Sequence, residues 1–448
     1  MATTYLTRTN SSAGSGTKFT ISTWLKRSSL STGIPRIMEF YHSTSYYISL
    51  RFRDDSSSAL QFYSESNGSG FGFTTNQVFR DVGAFYHIVL SVDTTLGTAD
   101  DRQKLYINGE QVTSFSSRTN PTSSVDLGYN TSSATNYIGR KFENSDYFDG
   151  LMAHFNYIDG TAYPASTFGE TNAASGIWTP LSAPSVTYGT NGVFLKFGSS
   201  GALGTDSSGN SNTFTVNGSG TQTQDAPSNV FCTLNALDNY YFGGTFSNGN
   251  TTVVSTSSGY PYCTSTFGVG KGKYYIEGKY VARSDGNDYS RFGIGYKPAT
   301  STTDGLGDET GEAIYRPDGA MKVNGSETSS WGATWATGDI ISIALDCDNS
   351  KLYFSKNGVF QGGGNPTAGT GGIAITDVTT LSTGNYFFGF GDNSGSGSAT
   401  WSYNFGNGYF GTTAVASGNA DGAGYGIFEY APPTGYYSLC TKNINTYG

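Results

Sequence analysis

Residues 338–358 run Gly338-Asp-Ile-Ile-Ser-Ile-Ala-Leu-Asp346, then Cys347-Asp-Asn-Ser350, then Lys351-Leu-Tyr-Phe-Ser-Lys-Asn357-Gly358. The first segment predicts an apolar strand that ends in Asp, and the last predicts a second strand that closes on an Asn-Gly turn. Asn-Gly tolerates the positive φ angles of a tight hairpin, so the stretch predicts paired antiparallel strands. Because side chains alternate along a strand, one buried face is expected to carry Ile341, Ile343, Leu345 and Cys347.

The first half of the chain carries the same pattern. His87-Ile-Val-Leu-Ser-Val-Asp93 is followed by a longer polar loop and then by Lys104-Leu-Tyr-Ile-Asn108-Gly109. Two copies about half a chain apart predict two domains of related architecture, and 448 residues are sufficient for two cores. We therefore expect an all-β protein made of two antiparallel β-sandwiches.

Composition favours the same fold class. The chain contains 62 Gly, 32 Tyr and 29 Phe but only 13% charged residues. Gly, Ser, Thr and Asn disfavour helices, whereas aromatic and β-branched residues suit a pleated surface. Short apolar segments separated by Gly, Ser, Asn and Asp loops are typical of sandwiches.

Charge and hydropathy exclude several classes of protein. The net charge is −9, the pI is about 4.8, and no basic stripe is present, so nucleic-acid binding is not expected. No apolar run approaches the roughly 20 residues of a membrane span. The N-terminal residues lack the basic and apolar regions of a signal peptide, so we expect synthesis in the cytoplasm without membrane insertion.

The four cysteines are scattered and form no Cys-x-x-Cys pair, so a zinc site is not expected. Cys232 and Cys263 either pair or stay free, and the sequence leaves both options open. Cys347 continues the inward register of its strand, which predicts a buried free thiol.

A family resemblance emerges from the order of the predicted strands in the first half. The segments are Phe19-Thr-Ile-Ser-Thr-Trp-Leu-Lys26, Tyr86–Asp93, Leu105–Gly109, Tyr137-Ile-Gly139 and Phe148-Asp-Gly150. This order resembles laminin-G/concanavalin A-like lectin domains, which implies a jelly-roll sandwich over residues 1–220. In such domains a strand followed by Asp-Ser-Ser-Gly-Asn often comes first. Here Val193–Phe197 and Asp206-Ser-Ser-Gly-Asn210 come last, so we expect a circularly permuted sandwich closed by residues 193–216.

The second half resembles a SPRY domain over residues 221–408, which is also a two-sheet sandwich. The segments that carry the resemblance are Lys273-Tyr-Tyr-Ile-Glu277, Arg291–Tyr296, Trp335–Asp346, Lys351–Gly358 and Asn385–Phe390. Residues 409–448 are expected to form a C-terminal extension.

Both chain ends resemble large structural proteins of tailed bacteriophages. The matching segments are Tyr5-Leu-Thr-Arg-Thr9 and Pro432-Pro-Thr-Gly-Tyr-Tyr-Ser-Leu-Cys-Thr-Lys-Asn443. The resemblance implies a virion component, homo-oligomeric and exposed on the particle surface, whose partners are other virion proteins. Three roles remain open: an appendage or tail-fibre subunit that recognises host-surface glycans, a capsid decoration or fibre protein, and a polysaccharide depolymerase.

Catalytic motifs are not found, so a non-enzymatic role is favoured. His87 and His154 lie in or beside predicted strands and are interpreted as hydrogen-bonded sandwich residues, while His42 has no identifiable partner. Glycoside hydrolysis needs two carboxylates facing each other in a cleft. Candidates are Glu39, Glu65, Asp54 and Asp55, but no spacing motif pairs them.

Two kinds of binding residue are predicted. Lectin-like sandwiches often bind calcium through loop oxygens, and the candidate ligands are Asp93, Asp100, Asp101, Asp206 and Asn210. The alternative is that these residues form turns and caps, in which case no cofactor is needed. Exposed aromatic rings stack on sugars, and Tyr315 and Trp331 are the candidates for a binding rim. Trp335 is interpreted as a packing residue.

Overall fold

The computed structural model describes residues 3–30, 33–53, 58–173, 175–238, 244–256, 259–284, 289–301, 303–392 and 397–448. The chain forms two compact units, Met1–Gln222 and Thr223–Gly448. Both consist almost entirely of antiparallel strand pairs, so the predicted all-β class is confirmed. The helices of the described residues are α1 (Thr441–Tyr447) and three 3-10 turns, Ala99–Asp101, Ala165–Thr167 and Val378–Thr380. None of the helices described is long and apolar enough to span a membrane.

Unit 1 contains an eight-stranded and a six-stranded sheet, with strands numbered in chain order. The eight-stranded sheet comprises β1 (Tyr5–Thr9), β3 (Arg36–Ser43), β4 (Tyr46–Phe52), β5 (Ala59–Ser66), β6 (Ser69–Val78), β10 (Phe115–Thr119), β11 (Thr135–Ile138) and β16 (Thr215–Asn217). The six-stranded sheet comprises β2 (Lys18–Arg27), β7 (Tyr86–Asp93), β8 (Gln103–Ile107), β9 (Glu110–Gln111), β12 (Gly150–Asp159) and β15 (Val193–Leu195). A separate pair is formed by β13 (Gly169–Thr171) and β14 (Trp178–Pro180). The strand orders are β10-β6-β5-β4-β3-β11-β1-β16 and β15-β12-β2-β7-β8-β9.

The core of unit 1 lies between these two sheets. Phe19 and Leu90 come from the six-stranded sheet, and Phe40 and Leu50 come from the eight-stranded sheet. All four side chains are fully buried in one apolar cluster. Each sheet therefore buries one face, which is the arrangement of a β-sandwich.

Residues 193–216 supply an edge strand to each sheet of unit 1. Strand β15 pairs with β12, and β16 pairs with β1. Val193, Leu195 and Phe214 are buried in the core. The segment just before β15 is held by polar contacts, since the backbone N–H of Asn191 donates to Asp159 Oδ2 over 2.9 Å.

Unit 2 repeats the two-sheet arrangement. One sheet comprises β17 (Gly244–Ser247), β18 (Thr252–Ser255), β20 (Lys273–Arg283), β25 (Ile340–Asp346), β26 (Lys351–Lys356), β27 (Val359–Phe360), β28 (Ile373–Ala374), β30 (Ala399–Asn404) and β33 (Tyr437–Ser438). The other comprises β19 (Tyr262–Val269), β21 (Arg291–Gly295), β22 (Ala313–Tyr315), β23 (Met321–Val323), β24 (Ser326–Thr328) and β29 (Tyr386–Gly391). Strands β31 (Tyr409–Phe410) and β32 (Thr413–Ala414) form a separate pair. The sheet orders are β17-β18-β30-β20-β25-β26-β27 and β19-β29-β21-β22-β23-β24.

The core of unit 2 uses the face predicted from the repeated pattern. Ile341, Ile343, Leu345 and Cys347 all belong to the main apolar cluster. Trp335 is also buried there, as predicted for a packing residue. All four cysteines are buried thiols, and no disulfide joins Cys232 to Cys263, which answers the question that the sequence left open.

The C-terminal residues 409–448 lie within unit 2. Strand β33 pairs in parallel with β20. Phe428, Tyr436 and Leu439 are buried. The segment expected as an extension thus supplies a strand and apolar side chains to the second sandwich.

The repeated pattern forms equivalent hairpins in the two units. Asn108 and Asn357 both have φ of 49°, and a glycine of positive φ follows each of them. The side-chain oxygen of Asn108 accepts the N–H of His87 over 2.8 Å, and that of Asn357 accepts the N–H of Ile340 over 2.8 Å. Each asparagine thereby closes its turn and caps the start of the first strand of its hairpin.

Each hairpin is paired in the same way with the strand that precedes it in its sheet. Lys18 of β2 lies opposite Asp93 and contacts its carboxylate at 3.1 Å. Lys273 of β20 lies opposite Asp346 and contacts its carboxylate at 2.9 Å. The two units therefore share the register of these strands as well as the sequence pattern.

Candidate functional site

The outer side of the eight-stranded sheet carries a row of tyrosines. Along β4, Ile48 and Leu50 point into the core, so Tyr47 points outward. The same alternation places Tyr63 of β5 outward beside buried Phe62. Together with Tyr41 of β3, these residues form a surface that we call the tyrosine face: Tyr41, Tyr47 and Tyr63.

The rings of the tyrosine face are neighbours on three adjacent strands. The ring centroids of Tyr41 and Tyr47 are 6.4 Å apart, and those of Tyr47 and Tyr63 are 5.8 Å apart. Phe142 extends the row by stacking on Tyr41 with a centroid distance of 4.0 Å. All three tyrosines are partly exposed. An exposed row of rings offers the apolar surface on which sugar rings stack.

Glycines on β6 keep the space beside Tyr63 open. Gly72 lies directly opposite Tyr63 in the sheet. A Cβ at Gly70 would lie 2.9 Å from Tyr63 Oη, and Gly72 has φ of 139°, which L side chains rarely adopt. Larger residues at these two positions would crowd the tyrosine hydroxyl or strain the backbone.

A chain of polar side chains runs beside the rings. Arg51 Nε donates to Gln61 Oε1 over 2.7 Å, and Gln61 Nε2 donates to Thr74 Oγ1 over 3.0 Å. The guanidinium carbon of Arg51 lies 5.3 Å from the centroid of the Tyr63 ring. This surface thus combines aromatic rings with hydrogen-bonding groups in fixed positions, as saccharide sites require.

Thr74 also lines an open cavity of about 350 Å³ beside the tyrosine face. The cavity lies where β5, β6 and β10 meet, next to irregularities in their pairing. Hydroxyl, amide and guanidinium groups form much of its wall. Its lining residues are Arg53, Ala59, Thr74, Thr75, Asn76, Val78, Ser116 and Ser117.

The tyrosine hydroxyls are neutral at physiological pH. Burial and the hydrogen bond to Glu65 raise the pKa of Tyr63 to about 12. Burial also raises the pKa of Tyr47. Tyr63 Oη donates to Glu65 Oε2 over 2.7 Å, which fixes the position of the ring.

Two of the carboxylates considered for glycoside hydrolysis lie on this sheet, and both are engaged by protein groups. Glu39 is fully buried and accepts hydrogen bonds from Arg36 Nε over 3.1 Å and from the N–H of Phe142 over 3.0 Å. Glu65 accepts from Tyr63 and from the N–H of Gly68. Asp54 and Asp55 lie outside the described residues.

Three of the predicted calcium ligands lie at the end of β7 or in the loop that leads to β8, and they bind other side chains. Asp93 contacts Lys18 at 3.1 Å, and Asp101 contacts Lys104 at 3.0 Å. Asp100 Oδ1 accepts from Asn120 over 2.6 Å. These carboxylates act as turn and ion-pair residues in the structure.

The other two predicted calcium ligands belong to the Asp-Ser-Ser-Gly-Asn turn. Asp206 accepts hydrogen bonds from the N–H groups of Phe194, Ser208 and Asn212. Asn210 donates to backbone carbonyls. Within the described ranges, no three His, Cys, Asp or Glu side chains are grouped as a metal ion requires, and calcium binding stays a prediction.

The two aromatic residues predicted to form a binding rim in unit 2 pack mainly against other side chains. Tyr315 is fully buried, and its hydroxyl donates to the carbonyl of Ala333. A fully buried ring has no face for a ligand, so Tyr315 is a core residue and not a rim residue. Trp331 is half-buried, with its ring centroid 5.4 Å from that of Tyr315.

His87 is a hydrogen-bonded sandwich residue, as predicted. Its ring stacks on Trp24 with a centroid distance of 4.5 Å. Trp178 Nε1 donates to its Nδ1 over 2.9 Å, which places the ring proton on Nε2, facing Ser22 Oγ at 2.9 Å. Burial lowers the pKa of His87 to about 3, so the ring is neutral. For His42 the sequence indicated no partner. In the structure its Nδ1 lies 3.0 Å from Thr131 Oγ1.

The tyrosine face was missed at the level of sequence. The available signal was the alternation of Tyr47 and Arg51 with Ile48 and Leu50 in one strand. Alternation identifies an outward side chain but does not identify its neighbours on other strands.

Comparison with known proteins supports the fold of the first unit. Residues 1–166 match the laminin-G family model described as the concanavalin A-like lectin/glucanases superfamily. This sandwich is compatible with carbohydrate binding. No curated protein matches the chain.

Solved structures show weak likenesses. The SPRY domain of human HERC1 has 19% identity and a TM-score of 0.29, covering 36% of this chain and 91% of that one. A human SPRY domain has 18% identity and a TM-score of 0.26, covering 36% and 95%. The heptameric SAP-like pentraxin of Limulus polyphemus has 17% identity and a TM-score of 0.27, covering 36% and 71%. At such scores no conclusion about function follows.

Proposed function

We propose that the chain is a non-enzymatic structural protein of a bacteriophage virion that recognises host-surface glycans through the tyrosine face. The observation that carries the proposal is the row of three outward tyrosines in a lectin-like sandwich. The virion assignment rests on the resemblance of both chain ends to phage structural proteins. It implies a homo-oligomeric subunit exposed on the particle surface.

The geometry supports saccharide binding in three respects. The rings of Tyr47 and Tyr63 supply apolar surface, and the glycines of β6 keep it accessible. Arg51 and Gln61 supply donors beside the rings. The polar cavity that adjoins Thr74 offers room for a neighbouring sugar unit.

The test is affinity electrophoresis of the full chain through gels that contain bacterial surface polysaccharides. We expect retardation of the native chain and about tenfold weaker binding of Tyr63→Ala, because a stacking contact of about 1.4 kcal/mol is worth that factor. Tyr63→Phe keeps the ring and should retain most of the binding. Tyr289→Ala is the matched control, because Tyr289 is 45% exposed and lies in unit 2.

Two results would overturn the proposal. One is the absence of binding to every polysaccharide tested, and the other is full binding by a folded Tyr63→Ala protein. A capsid decoration role predicts the first result together with binding to virion shells.

A depolymerase is the second candidate, because Glu39 and Glu65 lie on the same sheet as the tyrosines. It predicts new reducing ends when the chain is incubated with a polymer that it binds. We expect none, because both carboxylates are held by protein donors.

A further inference from the structure

Arg51 lies beside the tyrosine face, and none of the carboxylates that the structure describes forms an ion pair with it. Its Nε donates to Gln61, and the guanidinium lies over the ring of Tyr63. Across the described ranges, no Asp or Glu oxygen lies within ion-pair distance of it. A partly buried guanidinium keeps a strong preference for an anion, because desolvation strengthens its field.

The neighbouring guanidinium differs in this respect. Arg36 lies opposite Arg51 in the sheet. It is buried and contacts Glu39 at 3.1 Å and Asp146 at 3.7 Å. The charge of Arg36 is therefore matched by carboxylates, whereas no carboxylate of the described residues forms an ion pair with Arg51.

Neither Glu39 nor Glu65 forms an ion pair with Arg51. Glu39 accepts hydrogen bonds from Arg36 and from the N–H of Phe142. Glu65 accepts hydrogen bonds from the hydroxyl of Tyr63 and from the N–H of Gly68. Burial and the nearby charge of Arg36 lower the pKa of Arg51 to about 10, which leaves it cationic at neutral pH.

We propose that the tyrosine face selects acidic saccharides, with a sugar carboxylate on Arg51 and the sugar ring on Tyr63. The planar fork of a guanidinium matches a carboxylate in two parallel hydrogen bonds. The hydroxyl and amide groups of Thr74, Asn76 and Ser116 in the adjoining cavity then contact the sugar hydroxyls. This inference rests on the proposed function and specifies its substrate class.

The test compares acidic polysaccharides with their carboxyl-reduced forms, which keep the sugar backbone and lose the charge. The probes are polygalacturonate, alginate and hyaluronan, each measured against the full chain by affinity electrophoresis. We expect binding to at least one acidic polymer and at least tenfold weaker binding after carboxyl reduction. Arg51→Gln should cause a loss of similar size, and Arg51→Lys, which keeps the charge without the fork, an intermediate one.

Lys271→Gln is the control for net charge, because it removes an exposed positive charge in unit 2. It should bind like the native chain. Equal binding to acidic and reduced polymers, or full binding by Arg51→Gln, would overturn the inference and leave glycan recognition intact. No binding to acidic, reduced or neutral polymers would overturn both proposals.

Discussion

Glu277 makes the stability of unit 2 depend on pH in an unusual direction. The side chain is fully buried on β20. Its carboxylate accepts hydrogen bonds from Asn404 Nδ2 and from the N–H groups of Glu429 and Tyr430, at 2.8–3.1 Å. The hydroxyl of Tyr275 donates as well, over 3.2 Å. The carboxylate thereby holds the C-terminal residues of unit 2 against the sheet.

The magnitude follows from the displacement of the pKa. Burial raises the pKa of Glu277 from 4.5 to about 7, against the opposing effect of its four donors. The folded state therefore binds a proton more tightly than the unfolded chain between these values. The stabilisation of the folded state by protonated Glu277 is present in full below pH 4.5 and is lost as the pH rises through 7. At about 1.4 kcal/mol for each pH unit, the loss is ~3 kcal/mol.

The assay is urea unfolding of the native chain and of Glu277→Gln at pH 5 and at pH 8. The native chain should lose stability between the two pH values, and Glu277→Gln should lose about 3 kcal/mol less. Burial raises the pKa of Glu312 to about 7 as well, so the comparison between the two proteins isolates Glu277. Glu327→Gln, which changes an exposed carboxylate in the same unit, is the control and should follow the native chain.

An identical pH dependence in native and Glu277→Gln proteins would refute this reasoning. A carbon NMR titration of the Glu277 carboxylate provides an independent measurement on the unaltered protein. A midpoint near 4.5 would show that the four hydrogen bonds offset the effect of burial on the pKa.

Removal of residues 193–216 should unfold unit 1, because the two edge strands and Phe214 are lost; a chain truncated after residue 190 that melts cooperatively at the native temperature would contradict this. Millimolar calcium or EDTA should leave the melting temperature of unit 1 unchanged, because Asp93 and Asp101 already pair with lysines. A clear rise with calcium would instead establish the predicted calcium site.

Local chemistry allowed much of the fold to be predicted. The Asn-Gly pairs at 108–109 and 357–358 adopt the positive φ angles that the sequence predicted. The alternation along 341–347 identified the buried face of β25. The predicted strand Tyr86–Asp93 agrees with β7. These features depend on a few consecutive residues, so their physical causes are visible in the sequence.

The candidate site is different, because its parts come together only through strand pairing. Tyr41, Tyr47 and Tyr63 lie on three strands, and the strand register decides that their rings are neighbours. The same applies to Tyr315, whose burial depends on packing against distant residues such as Phe354.

The sequence by itself determined the strands, their turns and the sides that face the core, because backbone preference and alternation act over a few residues. Only the tertiary structure decided which outward side chains meet, which carboxylates are matched, and that Arg51 bonds Gln61 but no carboxylate among the described residues. Trp178 reaches His87 across 91 positions, and Tyr430 reaches Glu277 across 153. Contacts over such separations are set by the packing of whole sheets, and no local pattern encodes them.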